Sequence, residues 1–389
     1  MRAAPHQEVI RRHNLSALLR YVHIHGAATR TELAGALGLN RSTIGALTAD
    51  LTAAGLVRES SPRETGRAGR PSLVVQPESD RVYAYAVSIE VDRLRVGRVG
   101  LGGKVLDARV APRPHGMSLV DSALMLTAFV REMREAVPTP SRCVGSGIAV
   151  SRMTRDADGT ARLTSELSDE AVHVLRAELG EDRPVAVGTV AALAARAEHT
   201  RGAAAGCDNL IYLHGDVGVS AGIIAGGRSV TGGGYGGEVG HVVVNPGGRR
   251  CSCGARGCWE TEIGEHALLH AAGRDGQTGV GAVLSVIDAA SRGDTTAQAA
   301  LRHVGDWLGL GVANLVNIFN PEMVVFGGTL RHVYLAAAAQ LRSRLNATAL
   351  ASCREQVRVR TTALGDDAPL LGAAELAFER LLADPLDVS

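Results

Sequence analysis

Four residues constrain this 389-residue chain most: His241, Cys251, Cys253 and Cys258. Three thiols within eight residues, with an imidazole ten residues upstream, suit a tetrahedral Zn²⁺ held by three sulfurs and one nitrogen. Gly240, Gly247, Gly248, Gly254 and Gly257 let a short loop wrap an ion. A closed set of four ligands implies a structural metal, since a catalytic zinc keeps a position for water. The alternative is three ordinary thiols, which Cys-x-Cys-x₄-Cys in a reducing compartment disfavours. Cys143, Cys207 and Cys353 sit in apolar contexts and read as core.

Six cysteines in this length are too sparse for a disulfide scaffold. Hydrophobic content of 46% with a net charge of +1 excludes wholesale disorder. No apolar run reaches the about 18–20 residues of a membrane span. The N-terminus, with Arg11, Arg12 and His13, lacks the apolar core of a secretory signal. A cytoplasmic protein of two or three domains is expected.

Charge is uneven. Residues 1–76 hold ten arginines against five acids, a basic head on a mildly acidic body. That is the footprint of a nucleic-acid-binding module. Leu15, Leu18, Leu19 and Val22 recur at helical spacing and predict a helix from Asn14 to about Ile24. Thr29 and Glu32 form a capping box for a second short helix carrying Leu33, Ala34 and Leu37. Gly38-Leu39-Asn40 is a turn. A third helix from Arg41 to about Ala54 buries Ile44, Leu47 and Leu51, and Gly55 closes it. This is a helix-turn-helix. Residues 56–59 and 73–75 read as strands flanking a loop with Arg63, Arg67 and Arg70, which is a wing. The third helix would enter a major groove, with Arg41, Ser42, Thr43, Gly45 and Ala46 facing base edges. Arg67 and Arg70 would hold phosphates or enter the minor groove.

The body reads as α/β. Strands are expected over 82–89, 94–101, 105–110 and 144–150, and a short one over 185–187. An Ala-rich helix follows over 190–204. A second set of strands begins at 210–213, 219–224 and 229–231. Helices are expected over 118–136, 260–272, 279–292, 295–319 and 331–346, strands over 323–326 and 357–361, and a closing helix over 372–382. Strands followed by alternation with helices, twice over, predict two lobes with a cleft between them.

Gly237-Glu238-Val239-Gly240-His241 followed by Cys-x-Cys-x₄-Cys resembles the signature of the ROK family of repressors, open reading frames and kinases. The winged head with Gly69-Arg70-Pro71 resembles the repressor branch, especially its actinomycete members, and the likeness covers nearly the whole chain. The resemblance implies a two-lobed actin/hexokinase-like (ribonuclease H-like) fold, dimerisation and a sugar site between the lobes. It also implies sugar contacts from Glu238, His241 and Glu260, with the zinc fixing the loop that presents them.

Kinases of this family carry motifs that this sequence lacks. Their Asp-x-Gly-Gly-Thr turn corresponds to Ser88-Ile89-Glu90-Val91-Asp92-Arg93, and Gly-Thr-Gly-x-Gly to Asp216-Val217-Gly218-Val219-Ser220. Gly327-Gly328 matches the adenosine-side turn. The Asn-Asp pair whose Asp removes the sugar proton falls on Thr189 and Val190, and valine cannot accept a proton. No carboxylate lies between Arg183 and Glu198.

The expected architecture is a winged head over 1–76, a first lobe over 80–200 completed by a helix over 370–386, and a second lobe over 201–369. The expected function is a DNA-binding repressor with structural Zn²⁺, no catalytic residues and no bound ATP. As a homodimer or tetramer it would meet a pseudo-palindromic operator and sense a sugar-like or natural-product effector without phosphorylating it. The competing readings are a sugar kinase with an atypical base and a ligand-independent regulator with a vestigial pocket.

Overall fold

A computed structural model of the chain describes residues 5–61, 72–137, 140–151, 153–155, 161–163, 169–180 and 183–386. The head contains helices Pro5–His25, Arg30–Leu37 and Arg41–Ala53. Thr29 and Glu32 form the expected reciprocal capping box, and the Asn40 side chain caps the third helix by accepting from the Thr43 N–H. The first helix starts nine residues before Asn14. Its opening turns bury little, with Val9 and Ile10 exposed, so they gave no apolar periodicity to read. The wing strands are Val57–Ser60 and Val74–Pro77, paired antiparallel. Ala28–Thr29 adds a third strand beside Val74–Pro77 that is too short to carry an alternation. Arg63, Arg67, Gly69, Arg70 and Pro71 lie outside the described residues.

The body is built on one topology used twice. In the first sheet Val82–Ile89 pairs antiparallel with Arg93–Gly100, which pairs antiparallel with Val105–Pro112. On its other side Val82–Ile89 runs parallel to Arg142–Val150, and that strand runs parallel to Val185–Thr189. In the second sheet Leu210–Gly215 takes the same central place. Val219–Ala225 and Arg228–Ser229 follow antiparallel, and Met323–Gly328 and Arg358–Thr361 lie parallel on the other side. The first strands of both sheets are buried throughout, as their unbroken apolar character requires.

Two helices lie between the sheets. The Ala-rich helix Val190–Arg201 turns Val190, Leu193 and Ala197 to the first sheet and Ala194 and Ala195 to the second. Its small side chains permit close approach: a Cβ on Gly222 would lie 2.2 Å from the Ala191 carbonyl oxygen. The closing helix runs Ala368–Ala383, four residues earlier at its start than its pattern suggested. Leu370, Leu371, Phe378, Leu381 and Leu382 share one core with Leu15, Leu18, Leu19 and Val22 of the head. Head and body therefore pack as one unit. The segment expected as one helix over 331–346 is two, Leu330–Ala336 and Ala338–Thr348, broken at Ala337. Residues 260–272 likewise split at Gly264. Helix Asp169–Leu179 was missed, although Ala171, Leu175 and Leu179 recur at four-residue spacing and are buried.

Candidate functional site

The loop after Val219–Ala225 returns through a single turn of 3₁₀ helix, Val239–His241, to face the cleft between the lobes. Its far end is pinned by Trp259, fully buried with its indole N–H on the Trp307 carbonyl at 2.9 Å. Gly257 is forced by close packing: φ is +69° and a Cβ would stand 1.5 Å from the Asn245 carbonyl oxygen. Between these anchors one donor atom from each of His241, Cys251, Cys253 and Cys258 lies within 4.8 Å of the others. Cys251 Sγ is 3.5 Å from His241 Nδ1, and Cys253 Sγ is 3.6 Å from Cys258 Sγ. A tetrahedron with Zn–S of about 2.3 Å and Zn–N of about 2.0 Å has edges of about 3.5–3.8 Å. The donor set therefore fits zinc in number, chemistry and spacing. Burial, and then the Glu260 carboxylate 2.9 Å away, push the Cys251 thiol up; a bound cation would offset both effects. Of the other cysteines, Cys143 and Cys207 are buried and Cys353 is half-buried.

The cleft gathers residues that are distant in sequence. Thr189, Val190, Glu238, His241 and Glu260 line one pocket with Val91, Val150, Ser151, His214, Asp216 and Ser220. The predicted sugar contacts and the predicted vacancy left by the kinase base thus face the same space. Thr189 spends its hydroxyl as a helix cap, accepting from the Ala192 N–H at 3.2 Å. Val190 is buried and apolar. Glu198, the next carboxylate along the helix, is turned away. It accepts from the backbone N–H groups of Ala203, Ala363 and Leu364 and from the Thr362 hydroxyl. The cavity measures only about 40 Å³, so a sugar-sized ligand would require its walls to part.

A second cavity of about 400 Å³ adjoins it. Glu90, Asp92, Asp216, Glu265 and Asp366 line it against Arg93 and Arg331, together with Gly328. Five carboxylates and two guanidiniums make a poor seat for a polyphosphate. Sequence reasoning had singled out Gly328 and the stretches holding Glu90, Asp92, Arg93 and Asp216, but not Glu265, Arg331 or Asp366; the charges converge from five separate segments.

At the head, Arg41, Ser42 and Ala46 are exposed on the opening turns of the third helix, and Thr43 is half-buried. Gly45 lies against Arg30, whose Nη1 would be 3.3 Å from a Cβ there. Arg30 in turn grips Glu59 of the wing with two hydrogen bonds of 2.5 and 2.6 Å. This pair, missed in the sequence, ties the start of helix Arg30–Leu37 to strand Val57–Ser60.

Residues 85–380 match the sequence model of the ROK family. The chain is 28% identical over 373 residues to the xylose repressor of Caldicellulosiruptor bescii, covering 92% of this chain and 93% of that protein. Its fold is similar to that of a ROK family transcriptional regulator described as a homologue of the Escherichia coli MLC protein. That match has a TM-score of 0.75 at 23% identity and covers 97% and 98% of the two chains. It is also similar to a ROK hexokinase from Thermus thermophilus, at 28% identity and a TM-score of 0.60, with 79% of this chain and 99% of that one covered. No helix among the described residues is long and apolar enough to cross a membrane.

Proposed function

The chain belongs to the ROK family, and on that footing we propose that it is a DNA-binding transcriptional repressor whose kinase-like body senses a ligand without phosphorylating it. The observation that carries this is the exposed opening turn of helix Arg41–Ala53, presented by a three-stranded wing on a head that shares its core with the sensor body. The two relatives with a regulator's name match along almost the full length, head included, whereas the kinase match covers 79% of the chain. Arg41, Ser42, Thr43 and Ala46 read base edges, with Gly45 letting the helix pack close. Arg67 and Arg70 of the wing hold the backbone. Residues 1–76 form the reader, 80–200 with 370–386 the first lobe, and 201–369 the second. Two such chains related by a two-fold axis meet a pseudo-palindromic operator.

His241, Cys251, Cys253 and Cys258 hold a structural Zn²⁺, which supplies rigidity to the loop carrying Glu238 and Glu260. These acids and His241 face the effector. Val91, Val150, Val190 and Val219 add apolar surface to the lining of the same pocket. Each sugar hydroxyl left unpaired against valine would cost about 1–3 kcal/mol. A less hydroxylated molecule, such as a deoxysugar or a glycosylated natural product, therefore fits better than the pentose for which the C. bescii relative is named. Entry of the ligand parts the walls, and the two helices between the sheets carry that change to the head. Only a ligand that binds the two states unequally can shift DNA affinity. Phosphoryl transfer is absent because Val190 offers no base and the second cavity repels polyphosphate.

The test is binding of the full chain to genomic DNA fragments, followed by anisotropy at two salt concentrations. We expect a subset of fragments to be retained at 150 mM salt and released in the presence of an effector from the classes above. Uniform, weak binding of every fragment would reject the reading.

A further inference from the structure

The larger cavity of the cleft measures about 400 Å³, which lies within the about 300–1,000 Å³ of small-molecule sites. Its walls come from both sheets. Glu90, Asp92 and Arg93 lie where strand Val82–Ile89 turns into Arg93–Gly100. Asp216 follows Leu210–Gly215, Glu265 opens helix Glu265–Ala271, and Arg331 and Asp366 complete the charged lining. Another stretch of wall, Gly279-Val280-Gly281, is nearly bare backbone. A Cβ on either glycine would meet nothing within 4 Å, and Val280 is 49% exposed, so this rim offers a way in. Asp216 also lines the small pocket, so the two spaces share a wall.

The charge of the lining is one-sided. Five carboxylates less two guanidiniums leave an excess of three acids. Both guanidiniums are already engaged within the lining. Arg93 donates to Glu90 at 3.0 Å and to Asp366 at 3.3 Å, and Arg331 is paired with Asp366 at 2.8 Å. Protonation of His214, 2.9 Å from Asp216, and of His115, 3.9 Å from Asp92, would still leave one acid in excess. Glu90 and Glu265 are only 3% and 4% exposed, so water screens them little. Acids around an enclosed space of low dielectric focus a negative potential inside it.

We propose that this cavity binds a compact organic cation, a ring carrying two or more amino groups, as the amine-bearing part of the effector. An ammonium group is a point charge with three donors, so it can be shared between carboxylates that arrive from different segments. Two or three such groups offset the excess of acid, whereas a polyphosphate adds to it. The acids belong to the turns and helices of both sheets, so a cation between them draws the two walls together. The proposal deepens the sensing role inferred above by giving its ligand a chemistry, and it rests on that role only for its effect on DNA binding.

The probe is 2-deoxystreptamine, a ring with two amino groups, titrated calorimetrically into the full-length, zinc-replete protein at neutral pH and about 150 mM salt. The matching ring without amines is myo-inositol, and ATP supplies the opposite charge. The expected result is a dissociation constant below about 1 mM for the diamine and no binding of the other two. Asp216→Asn and Asp92→Asn should each weaken the diamine about tenfold. Their side chains are 29% and 42% exposed, so the fold tolerates both changes. No heat with the diamine, equal binding of myo-inositol, tighter binding of ATP, or unchanged affinity in both variants would each overturn the site. The titration contains no DNA, so its failure leaves the repressor reading standing, and failure to bind operator fragments leaves this site standing.

Discussion

His23 Nε2 of the first helix lies 2.9 Å from Glu375 Oε2 of the closing helix, and both side chains are buried. The Gly102 N–H donates to the other ring nitrogen at 2.9 Å. A backbone N–H can only donate, so His23 Nδ1 carries no proton, and Nε2–H donates to the carboxylate. Arg201, at the far end of the Ala-rich helix whose first residue lines the cleft, donates to Glu375 Oε1 and to the Gly102 carbonyl. One polar cluster thus ties the N-terminal head to the Ala-rich helix and the closing helix.

His23→Leu removes the acceptor of the Gly102 N–H and the donor to Glu375. Glu375 keeps Arg201 as a partner, and the Gly102 N–H left unmatched costs about 1–3 kcal/mol. Urea denaturation should show a loss in that range, and hydrogen exchange in helix Pro5–His25 should accelerate. An unchanged midpoint with unchanged exchange would show that the apolar contacts alone hold the head.

Glu375 sets a pH dependence. Burial favours its neutral form, but the His23 ring and the Arg201 guanidinium outweigh this and hold the carboxyl at about 2. A carboxyl depressed below its unfolded value contributes stability in full above about pH 4.5, and loses it as pH falls toward 2. Glu375→Gln leaves the half-buried Arg201 without its charge partner, a loss of about 3 kcal/mol near neutrality. The gap between wild type and variant should narrow between pH 4.5 and pH 2.5, and a constant gap would contradict the assignment.

Cys253→Ser should reduce the zinc content of purified protein from one ion per chain to none, measured by elemental analysis, and lower its thermal midpoint. Retention of one zinc per chain would contradict the four-ligand set. Gly257→Ala forces a Cβ into the Asn245 carbonyl. It should displace the loop, weakening zinc retention against a chelator with every ligand still present.

Incubation with ATP and a panel of hexoses, pentoses and amino sugars should release no ADP above the rate without protein. Steady turnover with any of them would show that a base other than the residue at Val190 operates.

Much of this was legible in the chain. Strand Val82–Ile89 and helix Thr295–Phe319 matched their expected bounds because long apolar patterns leave little choice. The cysteine cluster was legible because its members crowd in sequence as well as in space. The Thr29–Glu32 cap was readable because it is local. The His23–Glu375–Arg201 joint was not, since its members are separated by 352 and 174 residues. Glu90 meets His214 and Asp216 only through the pairing of two sheets. The break at Ala337 and the extension of the first helix to Pro5 escaped notice because neither leaves a periodic apolar trace.

The most direct test is sequencing of genomic fragments captured by the full-length protein, run in parallel with Arg41→Ala. The account predicts a small set of enriched sites with two-fold-related half-sites one or more helical turns apart. It further predicts that Arg41→Ala loses about 1–3 kcal/mol at those sites with relaxed base preference. A flat capture profile, or an Arg41→Ala profile indistinguishable from wild type, would contradict it.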